Sequence, residues 1–65
     1  MSELTLALRT RTQDALASLE LARASDDELL EHVRLGELDS LARTAAEHGL
    51  DLPELTPFRA GRVTA

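Results

Sequence analysis

The side chains able to do chemistry in this 65-residue chain are few. His32 and His48 each follow a glutamate, as Glu31-His32 and Glu47-His48. An imidazole beside a carboxylate could bind a metal or move a proton. A metal site needs further ligands at workable spacing, and none flanks either pair. The histidines lie 16 residues apart, on two separate predicted helices. Each falls in the last turn of its helix, where a cationic ring suits the negative end of the dipole. The hydroxyls of Ser2, Ser18, Ser25 and Ser40 lack the base and orienter that a nucleophile requires, and read as caps and exposed helix faces. There is no cysteine, hence no disulfide framework and no thiolate chemistry. All seven basic residues are arginine, so lysine-based covalent catalysis is excluded. No glycine-rich phosphate loop occurs. The expectation is a protein that is not an enzyme, with no cofactor and no metal.

Binding is the remaining class, and composition says what framework would carry it. The apolar residues make up 43% of the chain and include 14 Leu and 10 Ala, but two Val, one Phe and no Ile, Trp or Tyr. Leu and Ala favour helix and strand formers are almost absent, so the expected fold is all-α. A chain of this length is one small domain near the lower limit for folding alone. A core of Leu and Ala has little shape variety, which predicts marginal stability or firming against a partner.

Periodicity places the elements. Leu4, Leu8, Thr12, Ala15, Leu19 and Ala22 recur at steps of three and four, predicting a helix over about residues 3–23, with fraying before Thr12. Ser2, or Thr10 with Gln13 in the capping-box pattern, could start it. Ser25-Asp-Asp-Glu28 reads as a capping box, with acids at the positive helix end, opening a second helix over 26–35 that carries Leu29, Leu30 and Val33. Gly36 is its left-handed stop. Leu38, Leu41, Ala42 and Ala45 form a third stripe, over 38–48. It ends at Gly49, with Leu50 packing back on Ala45 as in a Schellman ending. Asp51 as cap and Pro53 in the first turn start a short fourth turn, 52–56, which Thr56-Pro57 closes. The reading is therefore a three-helix domain over residues 1–56 and a disordered tail over 57–65.

Charge is unevenly spread. Residues 1–25 are neutral overall, residues 26–54 carry nine acids against Arg34 and Arg43, and residues 55–65 hold only Arg59 and Arg62. The net charge of −5 disfavours nucleic acid as partner. The run Asp26–Glu31 is either a docking surface for a basic partner or, more simply, a solvated and well-capped first turn. Arg9 and Arg11 beside Leu4, Leu6 and Leu8 make a weak membrane-surface motif, better read as a core-packing helix end. No apolar run spans a membrane and no secretory signal opens the chain, so the expected compartment is the cytoplasm. Pairing of two copies through the Leu stripe is a further option.

One family resemblance adds to this. The segments Ser25-Asp-Asp-Glu-Leu-Leu30, Gly36-Glu-Leu-Asp39, Leu41-Ala42, Ala45-Ala-Glu-His-Gly49 and Leu50-Asp-Leu-Pro-Glu-Leu55 resemble the Nif-eleven-type leader domain, over residues 16–55. Leu16 stands where that family usually has an aromatic. Such domains are leader regions of ribosomally made, enzymatically modified peptide precursors. The resemblance implies a leader or scaffold peptide, bound by peptide-modifying enzymes through Leu38, Leu41, Ala45, Leu50, Asp51, Leu52 and Leu55. Ala60-Gly61 resembles the small-residue cleavage site of such leaders, and Ala65 would be the end extended in a scaffold peptide. Arg62-Val-Thr-Ala65 lacks Cys and makes a poor core for thioether rings. Either a core peptide lies outside this chain, or the chain is a scaffold of the kind extended by transfer-RNA-dependent ligases. The alternative is a small helical adaptor or regulator that binds a protein through an apolar helix face.

Overall fold

The computed structural model describes residues 3–58. They form helix α1, Glu3–Ala24, helix α2, Glu28–Glu47, and a 3₁₀ helix, Pro53–Phe58. The described residues contain no strand, as the Leu- and Ala-rich composition requires.

The three-residue connector Ser25–Asp27 folds α2 back on α1 as an antiparallel hairpin. Two cross-helix contacts fix its register. Arg23 Nε lies 3.1 Å from Glu31 Oε2, and Arg34 Nε donates to Ser18 Oγ at 2.9 Å. Continuing outward from the connector sets Ala15 level with Leu38 and Leu8 level with Ala45. These residues belong to one buried cluster with Leu19, Leu41, Ala42, Leu52 and Leu55. Alanine opposite leucine lets the two backbones approach while Leu fills the space between. The 3₁₀ helix closes the open side: Leu52 and Leu55 enter the cluster, and Leu16, Leu35, Leu50 and Phe58 pack around it. Thr12 completes the α1 stripe, almost fully buried, with its hydroxyl donating to the Leu8 carbonyl at 2.7 Å. The threonine thus satisfies its polar atom within its own helix.

Both helices end in the same device. At the end of α2, Leu50 N–H donates to Ala45 O at 2.8 Å and Gly49 N–H to Ala46 O at 3.1 Å, with Gly49 at φ 66°. That is the Schellman ending expected at Gly49. At the end of α1, Asp27 N–H donates to Ala22 O at 2.8 Å and Asp26 N–H to Arg23 O at 3.3 Å. Here the left-handed position falls on Asp26, at φ 55°. Aspartate tolerates that conformation better than most side chains but less well than glycine.

Several expected boundaries are corrected. The helices expected over 26–35 and 38–48 are one continuous helix, because the stripe Glu31, Arg34, Leu35, Leu38, Leu41, Ala42, Ala45 stays in phase across Gly36. A lone interior glycine costs about 1 kcal/mol relative to alanine, less than burying Leu38 contributes, about 1.5–3 kcal/mol. Gly36 is therefore no left-handed stop. The N-cap of α2 is Asp27, whose carboxylate accepts from Leu30 N–H at 3.1 Å, not Ser25. Ser25 is still held by α1, donating to Leu21 O at 3.0 Å. Thr10 lies inside α1 rather than at its start. The last turn runs to Phe58, past Thr56-Pro57, because proline's fixed φ also suits a 3₁₀ helix. Of the expected tail, Pro57 and Phe58 are thus ordered, and residues 59–65 lie outside the described residues.

Candidate functional site

The seven residues that the resemblance implies for partner recognition run from the middle of the hairpin, at Leu38, to the 3₁₀ helix at Leu55, and the fold divides them. Leu38, Leu41, Ala45, Leu52 and Leu55 are buried, Leu38 completely. In the folded chain they hold α1, α2 and the 3₁₀ helix together. Leu50 is half-buried and Asp51 exposed, so these two are the members of the set that remain accessible on the folded surface. The Schellman turn fixes their position, since it reverses the chain at Gly49 and drops Leu52 and Leu55 into the cluster. Periodicity marks these residues as an apolar face but does not say whether the chain itself or a partner covers it. Ala60, Gly61 and Ala65, the expected cleavage and extension positions, lie outside the described residues.

The histidines stay apart. With α2 unbroken, His32 sits in its second turn rather than in a last turn, so the dipole reading fails for it. His48 is the C-cap, as that reading has it. Both are exposed, and 16 residues of one helix hold them about 24 Å apart along its axis. Among the described residues, no group of three His, Cys, Asp or Glu side chains could hold a metal ion.

An open cleft of about 300 Å³ lies between the helices, lined by Asp14, Ala15, Ser18, Arg34 and Glu37. Within this lining the Arg34 guanidinium donates to Ser18 Oγ at 2.9 Å and through Nη1 to Glu37 Oε1 at 2.8 Å. With donors on both edges engaged, this arginine ties the hairpin together across the cleft. Sequence reasoning had no signal for it, because Ser18 and Arg34 meet only once the hairpin register is set.

The rest of the surface bears on binding. No described helix is long and apolar enough to cross a membrane. Large apolar side chains stand exposed at Leu4, Leu6, Leu21, Leu29 and Val33. Exposed acids include Asp26, Asp27, Glu28, Glu47 and Asp51. Comparison of the chain with family models, with curated proteins and with solved structures finds no match in any of the three.

Proposed function

We propose that the chain is a leader or scaffold peptide read by peptide-modifying biosynthetic enzymes, with residues 59–65 as the end acted on. The reading rests on the Nif-eleven-type resemblance. The observation that carries it furthest is the build of Gly49–Leu55, where that resemblance is densest. This segment is a capped turn anchored by Leu52 and Leu55, with Asp51 exposed. A rigid turn just ahead of an acted-on end would hold that end at a fixed offset from a bound enzyme. Intact-mass measurement of the protein from its native host, with the neighbouring biosynthetic enzymes active, tests this. A mass change mapping to residues 59–65 supports the reading, and an unmodified mass rejects it.

The second reading, an adaptor without modification, is favoured by the exposed Leu29 and Val33. A chain ending after Phe58 separates the two. An adaptor keeps its partner and its effect in the cell, whereas a substrate still binds its enzyme through residues 38–55 but yields no product. The cut belongs after Phe58 rather than at Pro57, because Phe58 packs on the core.

A further inference from the structure

Gly36 serves no purpose inside this fold. It is exposed in the interior of α2, and a Cβ added there would meet nothing within 4 Å. Its backbone is not in the left-handed region, where Gly49 alone of these two glycines lies. Neither a turn nor close packing within the chain explains a residue that helices disfavour. Leu29 and Val33 precede it by seven and three residues, which puts all three on one helix face. That face points away from the buried Leu38 stripe and leaves Leu29 76% and Val33 48% exposed. Ser40, four residues after Gly36, continues it and is also exposed.

We infer that this outer face of α2 docks on a protein partner, with Leu29 and Val33 as anchors and Gly36 as the point of closest backbone approach. The spacing i, i+4, i+7 is that of an amphipathic helix laid in an apolar groove. Charge selects the kind of groove. Asp26, Asp27 and Glu28 crowd one end of the face and Glu47 the other, all exposed. Arg43, the one arginine along it, lies 3.6 Å from Asp39, and His32 is exposed at its edge. The groove therefore carries an apolar floor and a basic rim. A second copy of this chain fits poorly. Antiparallel pairing about Gly36 would set Leu29 level with Arg43, and parallel pairing would bring two acidic first turns side by side. The inference does not depend on what happens to residues 59–65.

Photo-crosslinking of the full-length chain in extracts of its host tests it, with a benzophenone amino acid at Ser40 and, as control, at Leu21 on the outer face of α1. One main adduct is expected from Ser40, with about tenfold less from Leu21. Leu29→Glu should lower the Ser40 yield about tenfold, the scale of losing one anchor. Raising salt from about 0.05 M to about 0.5 M should do the same through screening. Gly36→Ala should raise the melting temperature and still lower the yield, a combination that loss of folding cannot produce. The crosslinked partner peptide should be flanked by Lys or Arg. Equal yields from both positions, an adduct with a second copy, indifference to Leu29→Glu, or no adduct would each overturn the inference. A tail left unmodified in the host alongside a specific Ser40 adduct would reject the substrate reading and leave this surface standing.

Discussion

The two described glycines of this chain make a paired experiment, since the same substitution should act in opposite directions. At Gly49 the backbone is left-handed, with φ 66°, and a Cβ would touch nothing within 4 Å. The cost of Gly49→Ala is therefore conformational, with no clash to confuse it. A left-handed residue other than glycine costs about 1–2 kcal/mol. Stiffening the unfolded chain returns about 0.4–1 kcal/mol. The net loss is about 1 kcal/mol. At Gly36 a Cβ also meets nothing, but the backbone is helical. Gly36→Ala carries no left-handed cost and gains about 0.8–1 kcal/mol of helix propensity. For a domain of this size each kcal/mol moves the melting temperature by about 4–8 °C, so the two variants should melt on opposite sides of the parent. Thermal and urea melts followed by circular dichroism measure this, with an unchanged urea slope showing that the folded and unfolded states are the same. Destabilisation by both substitutions would refute the continuous α2 and restore a helix break at Gly36. An unchanged melting point for Gly49→Ala would refute the Schellman ending.

The connector offers two further tests. Asp26→Gly should stabilise the chain by up to about 1 kcal/mol, read by urea melt, because glycine accepts φ 55° without strain. Asp27→Ala should cost about 1 kcal/mol in the same melt through loss of the cap to Leu30 N–H, while Ser25→Ala stays within about 0.5 kcal/mol. The reverse order would return the cap to Ser25.

Much of the candidate site was legible in the sequence in one sense and hidden in another. Gly49 and Leu50 announced a helix stop and its return contact, since the left-handed cap is a local requirement that glycine meets. The stripe Leu38, Leu41, Ala45 and the pair Leu52, Leu55 were visible as apolar. What covers them was not visible, because 3.6-residue periodicity reports a face and not its neighbour. The Arg34–Ser18 bond and the Arg23–Glu31 pair were invisible for the same reason.

The sequence by itself determined the all-helical class, the stripe of α1 through Thr12, the Gly49 ending and the acidity of residues 26–54. Each follows from residue type and local spacing. Tertiary structure decided the number of helices and the ownership of the caps. Ser25-x-x-Glu28 and Gly36 are locally persuasive signals worth about 1 kcal/mol each. Gly36 yields to the in-phase burial of Leu38 and Leu41, which contributes more and exists only once the hairpin has closed, and Ser25 yields its cap to Asp27 because the α1 ending holds its backbone.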